Sequence, residues 1–141
     1  MNWQLWAVVS AVAAGITSVF AKIGLESVPS NLANAVRTAI VLVLSIVILV
    51  ASGEHQRASS LSSRAWLFLA LSGTATAVSW IAYFKALSLG SATAVSAIDR
   101  SSLAVTMVLS ALLLHEKITW RSLLGVTLVV AGAMLASIKA K

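Results

Sequence analysis

Asp99 and Arg100 stand side by side within an otherwise apolar stretch, with Ala86 to Ile98 before them and Ser101 to Leu114 after. In a chain solvated by a bilayer, an ionisable residue far from either helix end must face a polar interior, and it marks a binding site or ion pathway by default. Asp99 is nine residues past Gly90, about 13 Å into a hydrocarbon core about 30 Å thick, so its carboxyl falls near the midplane. Neighbours on a helix point about 100° apart, so Asp99 and Arg100 do not neutralise each other. The partner must come from another span, with Arg37 the first candidate and Lys85 the second. Ser96, Ser102, Thr106 and Ser110 share the stripe of Asp99; Ser72, Thr76, Ser79 and Tyr83 recur at helical spacing upstream, and Asn34, Thr38 and Ser45 do so beside Arg37. Such stripes line a cavity, or else let helices approach and hydrogen-bond across one another. Trp80, Tyr83 and Phe84 offer faces for an aromatic or cationic substrate, or serve as lipid-facing filler. The candidate substrate pathway is therefore Asp99, Arg100, Arg37, Lys85, Tyr83, Trp80, Ser79, Ser96, Thr38 and Asn34.

Other chemistries lack their residues. There is no cysteine, which removes disulfides, thiolate metal sites and Cys nucleophiles. No nucleophile has a base at a workable spacing, and no metal-ligand cluster, cofactor motif or Gly-rich phosphate loop occurs, so neither an enzyme nor a bound metal or cofactor is expected. His115 next to Glu116 and Lys117 has nothing in the sequence to pair with as a base. The net charge of +6 comes from ten Lys and Arg scattered over loops and helix ends, with no basic stripe for phosphates to follow, so nucleic acid is not an expected partner.

The elements that carry these residues follow from composition. Hydrophobic residues make up 60% and charged residues 10% of the 141, against about 25% charged in an ordinary soluble domain, and mean hydropathy is +0.99. Uncharged runs cover Asn2 to Ala21, Thr38 to Gly53, Ala65 to Phe84 and Ser122 to Ile138. Crossing the core takes about 20 helical residues, which predicts five spans: Trp3 to Gly24, Asn31 to Ser52, Ala65 to Leu89, Ser91 to Leu114 and Trp120 to Ile138. The runs are continuously apolar rather than alternating, which excludes a β-barrel and gives an all-α membrane protein. The N-terminal stretch lacks a basic segment, its first charge being Lys22, so a cleaved secretory signal is not expected. Pro29 falls in the first connection. Gly90 can supply a positive-φ helix end, while Ser91 and Thr119 can cap the helices that follow them. Gly53 to Arg64 reads as the longest loop. Lys22 and Lys85 lie close enough to helix ends to snorkel, with that outcome favoured for Lys22. Gly125, Gly132 and Ala136 give the last span a small-residue face suited to close helix contact or dimer packing.

Charge counting leaves orientation open. The face holding the N-terminus receives Arg57, Arg64, Lys117 and Arg121, and the other receives Lys22, Lys85, Lys139 and Lys141. Orientation follows from an imbalance of such residues, and here there is none. A chain inserted both ways, with Arg37 able to tip the balance, is the expectation. Trp3, Trp6, Trp66 and Trp120 all fall at the starts of odd-numbered spans, as an interfacial belt requires.

The segment Leu112 to Leu135, LLLHEKITWRSLLGVTLVVAGAML, resembles the closing signature of the EamA-like domain of the drug/metabolite transporter superfamily. Ser72 to Leu89, SGTATAVSWIAYFKALSL, is similar to that family's third helix, and AIDRSS from Ala97 and AKIG from Ala21 look like its short single-repeat members. The resemblance covers essentially the whole chain, 1–141, as one EamA-type transmembrane domain. Larger members carry two such repeats in inverted orientation, with the substrate site at their interface. A single repeat reproduces that plan by pairing with an oppositely inserted copy, so an antiparallel homodimer is implied, a hetero-pair being the alternative. The expected function is a secondary transporter in the inner membrane that moves a small amino acid-like, anionic or zwitterionic metabolite by alternating access. Lys22, Arg37, Lys85 and Arg100 outnumber Asp99 among embedded charges, which favours such a substrate over a bare cation. The alternatives are a proton-coupled exporter of lipophilic cations of small-multidrug-resistance type, with Asp99 exchanging protons for substrate, and a non-transporting accessory or scaffold protein.

Overall fold

A computed structural model describes residues 2–138. Lys139 and Lys141, which enter the charge count, lie outside the described residues. The described residues form six α-helices: α1 Trp3–Gly24, α2 Ser30–Ala51, α3 Ser63–Leu89, α4 Ala92–Arg100, α5 Ser102–Leu113 and α6 Trp120–Ser137. Taken as one stretch, Ala92–Leu113 joins α1, α2, α3 and α6 as the five segments long and apolar enough to cross a membrane. The 27 residues of α3 reach about 40 Å, more than the hydrocarbon thickness, so this helix protrudes or tilts.

Local signals set the helix boundaries. The Ser91 hydroxyl accepts from the Ala94 N–H at 3.2 Å. At α6, Thr119 Oγ1 accepts from the Ser122 N–H at 3.1 Å while Ser122 Oγ accepts from the Thr119 N–H at 3.0 Å, a reciprocal capping box. The stretch after α2 is less loop-like than its serines suggest: Gly53 takes a left-handed φ of 72° and opens a 3-10 helix over Glu54–Ser60. Gly90 does not adopt the positive φ expected for it; its carbonyl instead accepts from Lys22 Nζ at 2.8 Å. At the end of α5, His115 takes the left-handed φ of 56°, which turns the Glu116 N–H back to the Ser110 carbonyl at 3.2 Å.

The predicted fourth span is interrupted. Helix regularity stops at Ser101, between α4 and α5, immediately after Asp99 and Arg100. The Ser101 N–H binds the Ile98 carbonyl at 2.9 Å, the Ala104 N–H binds the Ser101 carbonyl at 3.0 Å, and Ser101 Oγ donates to Ile98 O at 2.6 Å. These tightened three-residue bonds and the competing hydroxyl account for the break without proline or glycine.

The helices group into two compact units, α1 with α4, α5 and α6, and α2 with the 3-10 helix and α3. In the first, α4 packs most extensively on α6, whose buried positions are Val126 and Ala133. In the second, Phe84 and Leu87 of α3 are the buried apolar residues. Ser18 of α1 is buried as well, and most other side chains on the spans are exposed, as expected where lipid rather than protein covers them.

Candidate functional site

The residues of interest are set by three elements. On α3, Trp80 and Tyr83 are half-buried and Phe84 is buried, a single face at helical spacing. Tyr83 meets Phe84 edge-on, with ring centroids 6.4 Å apart and planes at 65°. On α2, Arg37 is half-buried and lays its guanidinium on that face, with Cζ 4.0 Å from the Trp80 centroid and 5.7 Å from that of Phe84. A guanidinium is weakly hydrated and flat, so an aromatic face can take the place of water on one side of it. One turn back, Asn34 Oδ1 is buried without a hydrogen-bond partner, as is Arg37 Nη1.

Asp99 and Arg100 are both exposed at the C-terminal end of α4, next to the break at Ser101. No ion pair holds Asp99 among the described residues. Lys85, the second candidate, is exposed on α3, as is Ser79, while Ser96 on α4 is half-buried. Thr38 is exposed and its hydroxyl donates to the Asn34 backbone carbonyl at 2.7 Å. Ser45, Thr76 and Thr106 likewise donate to the carbonyl four residues back, at 2.8, 2.9 and 3.2 Å. These hydroxyls are satisfied within their own helices, the usual arrangement where lipid offers no partner.

Lys22 donates from the end of α1 to the turn between α3 and α4. Gly125, Gly132 and Ala136 lie on the exposed side of α6, and a Cβ at either glycine would meet nothing within 4 Å. The helix contact within the chain uses Val126 and Ala133, one residue further along from each glycine. Trp3, Trp6, Trp66 and Trp120 remain exposed near helix starts, and Trp80 is the tryptophan drawn inward. The feature missed from sequence is the break at Ser101: serine after a charged pair carries a weak signal for it, since Ser competes for helix carbonyls.

Five apolar helical segments of spanning length, one of them broken beside a charged pair, define a multi-pass membrane protein. The chain belongs to the EamA-like transporter family, which it matches over residues 1–138. A relative from Sinorhizobium sp., described as an uncharacterized transporter in the cobO 3' region, is 42% identical over 137 residues, 97% of each chain. No solved structure matches the chain.

Proposed function

We propose that the protein is a secondary transporter of the inner membrane that moves a small anionic or zwitterionic metabolite by alternating access, as a pair of oppositely inserted copies. The observation that carries this reading is the interruption of the Ala92–Leu113 segment at Ser101, directly after Asp99 and Arg100. Broken helices place charged groups and helix ends near the midplane, where transporters bind substrate between inverted repeats. The balanced loop cations support dual insertion, and the exposed small-residue face of Gly125, Gly132 and Ala136 gives a second copy a surface for close approach. Substrate contacts are assigned to Asn34, Arg37, Thr38, Ser79, Trp80, Tyr83 and Lys85 in the unit of α2 and α3, and to Ser96, Asp99 and Arg100 in the other unit. Amino acid-like or other carboxylate substrates suit the excess of Lys22, Arg37, Lys85 and Arg100 over Asp99.

A second reading is favoured by the exposure of Asp99, which has no ion pair among the described residues. A carboxylate so placed can exchange a proton for a lipophilic cation. Counterflow in proteoliposomes separates the two. Retention of a labelled amino acid or organic anion, lost in Asp99→Asn with dimer assembly unchanged, is the expected result. Proton-driven efflux of a quaternary ammonium dye, abolished by Asp99→Asn and unaffected by Arg100→Gln, would replace the first reading with the second.

A further inference from the structure

Two buried polar atoms on α2, Asn34 Oδ1 and Arg37 Nη1, have no hydrogen-bond partner. Residues three apart on a helix share a face, so the pair places an orphan acceptor and an orphan charged donor on one face of α2. The Thr38 hydroxyl does not relieve them. The single Thr38 hydroxyl proton is already given to the Asn34 backbone carbonyl at 2.7 Å. Trp80 and Phe84 occupy ring-to-guanidinium contacts at 4.0 and 5.7 Å, which leaves the donors in the guanidinium plane pointing past the rings. Buried polar atoms without partners are costly and persist where something else completes them.

The chemistry of the completing group is narrow. An inorganic anion would satisfy Arg37 Nη1 while setting its charge against the Asn34 carbonyl oxygen. A quaternary ammonium would meet the Arg37 charge and has no proton to give Asn34. A carboxylate with a donor on its adjacent carbon satisfies both atoms at once, accepting from Nη1 and donating to Oδ1. We infer that Asn34 and Arg37 read the head group of a 2-amino or 2-hydroxy carboxylic acid, Arg37 binding the carboxylate and Asn34 the donor on the neighbouring carbon. The inference rests on the transport reading above and specifies which anions or zwitterions it concerns.

The test is thermal stability of the full-length protein in detergent against matched probes: alanine, lactate and propionate, then phenylalanine, 3-phenyllactate and 3-phenylpropionate, with tetraethylammonium as the cation. Binding raises apparent stability by mass action. In the native protein one or both of the 2-substituted acids should bind about tenfold or more tightly than their unsubstituted partner, the size of one charge-assisted or buried hydrogen bond. Asn34→Ala should level each series, and Arg37→Gln should abolish the response to every acid. Asn34→Asp supplies a carboxylate three residues from Arg37; it should raise the Tm without ligand and block the response to acids. That variant keeps the test decisive if Arg37→Gln fails to fold.

Equal affinity for substituted and unsubstituted acids in the native protein would overturn the head-group proposal and leave anion transport standing. Preserved discrimination in Asn34→Ala, or an unshifted Tm with intact acid binding in Asn34→Asp, would overturn it as well. A response to tetraethylammonium alone would overturn both the proposal and the anionic substrate class. Silence toward all seven probes would overturn the proposal, and counterflow would then decide the transport reading separately.

Discussion

Replacing Trp80 by leucine tests whether the aromatic platform holds a charge inside the bilayer. Arg37 is seven residues past Ser30, the first residue of α2, so its Cα lies about 10 Å along the helix. A charged side chain deep in the core costs up to about 2.5 to 3.5 kcal/mol on insertion scales. The guanidinium Cζ sits 4.0 Å from the Trp80 centroid, and a desolvated contact of that kind contributes about 2 kcal/mol. Trp80→Leu therefore loses about 2 kcal/mol of cation–π attraction in addition to any cavity it leaves. Arg37→Met loses the same contact but also removes the orphan Nη1, whose unsatisfied burial costs about 1 to 3 kcal/mol, so its net effect is close to zero. In the double variant the attraction is already gone, and the coupling energy of the cycle should be about 1.5 to 2 kcal/mol. Arg37→Lys should recover less than half of it, because an ammonium lacks the planar face. The measurement is reversible unfolding in mixed micelles followed by far-UV circular dichroism, which does not depend on the tryptophan removed. A coupling below about 0.5 kcal/mol, within the error expected of independent sites, would show that the stacking has no energetic consequence.

Lys22→Met should destabilise the protein by about 1.5 to 3 kcal/mol in the same assay, because it removes the charged donor to the Gly90 carbonyl 2.8 Å away. His115→Gly should raise stability by about 1 kcal/mol with transport unchanged, since it relieves a left-handed φ of 56°, whereas Gly53→Ala, at φ 72°, should lower stability by about the same amount. A loss of stability in His115→Gly would show that the imidazole makes contacts worth more than the strain. A reporter fused at the C-terminus should appear on both sides of the membrane, and two added lysines in the stretch between α2 and α3 should bias it to one side and reduce transport. A reporter found on one side alone would remove dual insertion.

The solvent and the number of spans were legible in the sequence because both depend on composition summed over about 20 residues, a length that averages out single side chains. The caps at Ser91 and Thr119 were legible for the opposite reason: each bond closes within three residues, inside the reach of local spacing. The partner of Arg37 was decided by tertiary structure. The sequence offered Arg37 only as a candidate partner for Asp99, whereas its stacking on Trp80 depends on how α2 meets α3, which no periodicity records. The face of α6 buried within the chain, at Val126 and Ala133, was not legible in the sequence. In a soluble helix the apolar stripe would have pointed to that face; here lipid is as apolar as leucine, so hydrophobicity does not distinguish a lipid-facing side from a packed one. The break at Ser101 lay between these limits: its hydroxyl bond to Ile98 is local, but serine makes such bonds in straight helices too, as Ser45 and Thr76 do here. The packing of α4 on α6, on one side of that break, is a tertiary contact that serine spacing does not record.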